Sequence, residues 1–170
     1  MPQDSSLPNG VVSDTGPFIS LERMKGGFKF LRKLHDRVLI PPQVLDELAV
    51  GHGGGQAYLA HFGLGDFVEV VTAPPPSITL KGLDFGEQYA ISLAMDRKFA
   101  LLIEDQGARA IARSLGLVTS GIAGQVLAAL RRGIIGEGEA LDHFQSLLAG
   151  GRINRRLFEE LVNATSAHSR

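Results

Sequence analysis

Short, nearly unbroken apolar runs recur along this chain, and each is followed by a segment with helical spacing. "VVSD" ends in an acid, "RVLI" stops at two prolines, and "FVEVV" leads into a proline-rich connection. "FALLIED" is apolar until its acidic end, and "LVTS" closes the series. Strands that are apolar on both faces belong in a parallel sheet covered on both sides. Between them lie helical segments such as "GPFISLERM", "PQVLDELAV", "DFGEQYAISLAMDRK" and "QGARAIARSLG". The alternation predicts a doubly wound α/β fold with four or five strands. After the last strand come three more helical segments, with the C-terminal helices spanning about residues 137–165.

The 170 residues fit one domain, residues 1–170, with residues 1–10 as a loose polar lead-in. A hydrophobic content of 44% and a charged content of 21% are those of a soluble globular protein. No apolar run is long enough to span a bilayer, and no signal peptide opens the sequence, so a cytoplasmic protein without a membrane partner is expected. There is no cysteine, and the five histidines lack ligand spacing, which argues against zinc. Any metal would sit on oxygen ligands. The net charge of −1 supplies no global basic field for nucleic acid, so such a ligand would need a local patch.

"SDTG", residues 13–16, contains the Asp-Thr-Gly triplet of aspartic proteases. Those enzymes are largely β and pair two such loops. Here the triplet occurs once, in an α/β pattern. In an open parallel sheet, ligands bind at the carboxyl ends of the strands. Asp14 follows the first strand there, and Glu104 and Asp105 follow the fourth. Either position alone is also what a helix-capping acid would occupy. In "PQVLDELAV", Val44, Leu45 and Leu48 form the apolar face. Glu47 falls at its border and Asp46 opposite it. In "DFGEQYAISLAMD", Glu87 is in line with Ala90, Ile91 and Ala94. The spacing Asp84-x-x-Glu87 also fits a capping box, so two accounts of Glu87 stand. Asp14, Glu47, Glu87 and Asp105 can converge at one sheet edge. Their repulsion calls for a cation, and Mg2+ or Mn2+ suits carboxylate oxygens. Such a site suits phosphodiester hydrolysis.

The segments "VVSDTGPFISLERM", "VLIPPQVLDEL", "DFGEQYAISLAMD" and "LLIEDQGARAIARSLGLVTSGIAGQVLAALRRGII" resemble the PIN domain. They are most similar to the bacterial and archaeal branch close to VapC-type toxin ribonucleases, over about residues 11–150. The resemblance implies a three-layer α/β/α sandwich with a central parallel sheet. It also implies a Mg2+- or Mn2+-dependent endoribonuclease, as the toxin of a toxin–antitoxin pair. By motif, Asp14, Glu47, Glu87 and Asp105 match the family's catalytic acids. Asp14, Glu87 and Asp105 are then the metal ligands, with Glu47 completing the shell or positioning water. RNA as substrate, an antitoxin protein and a homodimer are the implied partners.

Glu104 competes with Asp105 for the metal-facing place after the fourth strand. Ser13, Thr15 and Ser120 are accessory hydroxyls, with plain strand-end hydrogen bonding as the alternative for the first two. Relatives often read T-G-T-L-G where this chain has "SGIAG". They carry basic residues where it has Ala128 and Leu130. Arg131 and Arg132 remain as RNA-binding candidates, joined by Arg152, Arg155 and Arg156. Arg109 and Arg113 read as a solvated helix face. The competing function is a non-catalytic PIN-fold interaction or RNA-binding protein. A receiver-type phosphoacceptor domain is disfavoured, because "VVSDT" has one acid and "LVTSG" no lysine.

Overall fold

The computed structural model describes residues 9–76, 80 and 82–168. Residues 1–8 of the expected lead-in, and residues 77–79 and 81 of the proline-rich connection, lie outside that range. Five strands form one parallel sheet: β1 (Gly10–Ser13), β2 (Arg37–Ile40), β3 (Val68–Val70), β4 (Leu101–Leu102) and β5 (Thr119–Ser120). Their order across the sheet is β3-β2-β1-β4-β5. Val12 sits opposite Leu39 on one side and Leu101 on the other, so β1 is central.

Successive side chains of a strand point to opposite faces. Val11, Val12 and Ser13 are all buried, as are Val38, Leu39 and Ile40. Both faces of the sheet are therefore covered, as the unbroken apolar runs predict. The covering helices are α1 (Thr15–Arg23), α2 (Gly27–Arg32), α3 (Pro42–Leu48), α4 (Gly55–His61), α5 (Phe85–Arg97), α6 (Gln106–Ser114), α7 (Ile122–Arg131), α8 (Glu137–Ala149) and α9 (Arg155–His168). Phe18, Phe30, Tyr58 and Phe144 are the largest side chains fully enclosed between the layers. The fold is the α/β sandwich that the sequence predicts.

Three local expectations change. Gly10 belongs to β1, so the lead-in ends one residue earlier. The "FALLIED" strand shortens to two residues, although the Ile103 amide still donates to the Ser120 carbonyl at 2.9 Å. Helix α1 begins at Thr15, and Pro17 lies inside its first turn, where a missing N–H removes no helical bond.

The chain lays down β1, β2 and β3 outward in one direction, then returns to place β4 on the other side of β1. The crevice between the carboxyl ends of β1 and β4 is the switch point of the sheet. Open α/β sheets bind their ligands at such a point.

Candidate metal centre

Asp14 occupies the N-cap position of α1, yet its side chain makes no capping bond. It is only 6% exposed, and among the described residues its Oδ1 has no hydrogen-bond partner. An unsatisfied buried carboxylate oxygen is costly and uncommon. Burial pushes its pKa up from 3.8 to about 7. The nearby Thr15 amide works against that rise, and the charges of Glu87, Asp84 and Glu47 add to it.

The neighbouring acids arrive from separate elements. Glu47, on α3, is held by two donors: Thr15 Oγ1 donates to its Oε2, and the Gly86 amide donates to its Oε1 at 3.1 Å. A side chain at Gly86 would begin 2.6 Å from that oxygen, so only glycine lets α5 approach so closely. Asp84 precedes α5 and takes the Glu87 amide on its Oδ1 at 2.8 Å, while Glu87 Oε2 accepts from the Asp84 amide at 3.2 Å. The capping-box account of Glu87 is therefore realised. Glu87 also lines the cleft; burial raises its pKa, the bond from the Asp84 amide works against that rise, and the charges of Asp84, Asp105 and Glu47 add to it.

Asp14, Glu47 and Asp84 each offer an oxygen, and these oxygens lie within 4.8 Å of one another. That trio differs from the expected Asp14, Glu87 and Asp105. In the sequence Asp84 shows only as a cap, because the proximity of α3 to α5 is tertiary and leaves no local signal. An open cleft of about 430 Å3 gathers these groups with Thr15, Gly16, Glu104, Asp105 and Arg152. All four expected acids therefore reach one cleft. An unpartnered buried oxygen among several hard carboxylate donors fits a divalent cation such as Mg2+ or Mn2+.

After β4 the two acids have different surroundings. Glu104 is fully engaged: Ser20 Oγ donates to both its oxygens at 3.0 and 2.8 Å, the Ile122 amide at 3.2 Å and Arg152 at 2.9 Å. Asp105 spends Oδ1 on the Ala108 amide at 2.8 Å, capping α6. Among the described residues its other oxygen has no such bond, so Asp105 is the freer of the pair.

The accessory hydroxyls divide likewise. Thr15 reaches the centre through Glu47, whereas Ser13 is buried and donates to the Asp14 carbonyl at 2.8 Å. Ser120 donates to the Gly121 carbonyl at 2.9 Å and lines an adjoining cleft rather than the acid one. Arg131 closes α7, roughly 14 Å along the axis from Ile122 at 1.5 Å per residue. Arg131 and Arg132 therefore stand at the far end of a helix whose N-terminus touches the site. Arg155 and Arg156 open α9, and Arg156 pairs with Glu160. Arg152 is the arginine at the centre, donating to Ser20 Oγ and the Gly16 carbonyl besides Glu104. Arg109 and Arg113 line the adjoining cleft together with Arg152 and Asn154.

A family model described as PIN domain matches residues 10–167, almost the whole chain. The chain belongs to the PIN-domain family. PIN domains are generally nucleases, and an acid cluster at the β1–β4 crevice suits that chemistry. Among solved structures the chain is similar to a PilT N-terminus domain protein from the hyperthermophilic archaeon Sulfolobus solfataricus P2. The identity is 20% and the TM-score 0.50, covering 71% of this chain and 92% of the other, which is a likeness of fold. No curated protein matches the sequence.

Proposed function

We propose that this PIN domain is a divalent-metal-dependent endoribonuclease that hydrolyses RNA phosphodiester bonds. The observation that carries the reading is Asp14: a buried carboxylate with an unpartnered oxygen, set among Glu47, Asp84 and Glu87. A cation bound there would offset the charge of the substrate phosphate and lower the pKa of a water. Asp14 and Asp84 would hold it, with Glu47 aimed by Thr15 and the Gly86 amide. Glu87, with its raised pKa, is the carboxylate suited to accept a proton from the attacking water. Asp105 adds negative charge to the same cleft. Arg109, Arg113 and Arg152 line the cleft that continues toward β5 and supply a path for the phosphate chain.

A role as the toxin of a toxin–antitoxin pair, held in check by an antitoxin and assembled as a homodimer in the cytoplasm, extends this reading on family resemblance. Among the described residues no helix is long and apolar enough to cross a membrane. Growth arrest on expression, relieved by the product of an adjacent small gene, would support the toxin role; unaffected growth would oppose it.

The direct test is cleavage of single-stranded RNA by the purified chain with Mn2+ or Mg2+. Cleavage should vanish in excess chelator and in Asp14→Asn. Undiminished cleavage in either case contradicts the mechanism.

A further inference from the structure

Two arginines of α6 repeat the anomaly of Asp14 with the opposite sign. Arg109 and Arg113 are four residues apart, so they share one face of the helix, where like charges repel. The sequence alone reads that face as solvated. Arg113 is exposed, but Arg109 is half-buried, and burial lowers its pKa. The charge of Arg113 adds to that fall, and Glu104 and Asp105 oppose it. Among the described residues neither guanidinium forms an ion pair, and Glu104 pairs with Arg152 instead. Both are nevertheless held in place. Arg109 Nε and Nη2 donate to the Ile103 carbonyl at 3.2 and 2.9 Å, and Arg113 Nε donates to Thr119 Oγ1 at 2.9 Å. Gly121 makes room for the first: a side chain there would begin 2.8 Å from Arg109 Nη2. A guanidinium carries five N–H donors, so each arginine keeps donors beyond these bonds.

Two repelling cations fixed side by side, one of them partly desolvated, are a cost that a bound anion would offset. Guanidiniums with preset forks suit phosphate oxygens. Both arginines line a cleft of about 530 Å3, and that cleft shares Glu104 and Arg152 with the acid cleft. An anion on the arginines therefore lies beside the acid cluster and outside it. A nucleic-acid strand carries phosphates in series, so one can reach the acids while a neighbour reaches the arginines. We propose that Arg109 and Arg113 clamp a single backbone phosphate flanking the scissile one. The assignment rests on the nuclease reading and deepens it to substrate form: the smallest good substrate carries two phosphates. Phosphate contacts position a strand without reading bases, so the clamp leaves sequence open.

The test uses the full chain with Arg109→Gln, Arg113→Gln, both together, and Arg113→Lys. Arg113 is the safer probe of the two, since its guanidinium is exposed and held by one side-chain bond. Ribodinucleotides fix the register, because each holds a single cleavable bond. One is supplied bare, with a 5′-phosphate, or with a 3′-phosphate, and cleavage is followed with Mn2+. An added phosphate at one end should raise kcat/KM by about ten-fold, as expected for a charge-assisted contact. The gain should disappear in both single Gln variants and return in good part in Arg113→Lys, a dependence that a merely structural role would not produce. Binding of a longer labelled single-stranded RNA is read by anisotropy in Ca2+ over a range of salt. The double Gln variant should lower the salt slope by about 0.7, the value for one phosphate. No gain from either phosphate, or the same gain in the Gln variants, overturns the clamp and leaves the nuclease reading standing if the chain cuts RNA. A slope change of about 1.4 also overturns it, since the arginines would then hold two phosphates. Arg113-dependent binding of an oligoglutamate peptide, with RNA binding unchanged, overturns it and assigns the cleft to an acidic partner. A chain that cuts nothing, yet loses the slope of one phosphate in the double variant, upholds the clamp and removes the nuclease reading.

Discussion

Asp14 is where the sequence, the fold and the chemistry meet. A carboxyl with a pKa raised from 3.8 to about 7 holds its proton more tightly folded than unfolded. Between roughly pH 4 and pH 7 the metal-free fold therefore loses stability as pH rises, by up to about 1.4 kcal/mol per pH unit from this one group. Asn keeps the shape and never ionises. The Asp14→Asn chain without metal should consequently melt higher than the unsubstituted chain at pH 8, and the gap should close toward pH 4. Thermal unfolding at both pH values checks this; a lower melting point for Asp14→Asn at pH 8 contradicts it. The position of Asp14 was legible because the end of a strand in a parallel sheet is fixed by local pattern. Its missing capping bond was not, because that depends on where Thr15 and Glu47 sit in space.

At the scale of elements, α3 and α5 meet through Glu47 and Gly86. Gly86→Ala would ordinarily favour a helix by about 1 kcal/mol. Here the new methyl would stand 2.6 Å from Glu47 Oε1 and displace it. Mn2+ affinity should fall at least about ten-fold while the fold survives, as calorimetry and circular dichroism would show. Asp84→Asn separates two roles, since Asn caps a helix as well as Asp does. Stability should change by less than about 0.5 kcal/mol, with weakened Mn2+ binding; unaltered metal affinity would leave Asp84 a cap alone. Arg152 ties the α8–α9 connection to α1 and β4 through Gly16, Ser20 and Glu104. Arg152→Met leaves a partly buried Glu104 without its cation and should cost about 2–3 kcal/mol in denaturant unfolding. The sequence showed Glu87 both as a cap and as a cleft acid, and both accounts hold in part. It did not show that Glu104 is consumed by Ser20, Ile122 and Arg152, because those three come together only through packing.

Across the whole molecule, the strand order β3-β2-β1-β4-β5 opens a crevice between the ends of β1 and β4. Carboxylates spread from Asp14 to Asp105 in the chain gather there, although the net charge is only −1. The apolar runs were enough to read the parallel sheet and the edge at which acids collect. They could not give the far-end position of Arg131 and Arg132, which follows from the direction of α7 once its N-terminus is pinned at Glu104. This gathering is proposed to bind a divalent cation through Asp14. Calorimetric titration of Mn2+ into the full chain and into Asp14→Asn, at pH 6 and pH 8, tests it most directly. Binding to the unsubstituted chain should be saturable, and tighter at pH 8 because the metal displaces the Asp14 proton, with little or none to Asp14→Asn. Equal binding by the two chains, or no binding at millimolar Mn2+, would contradict it.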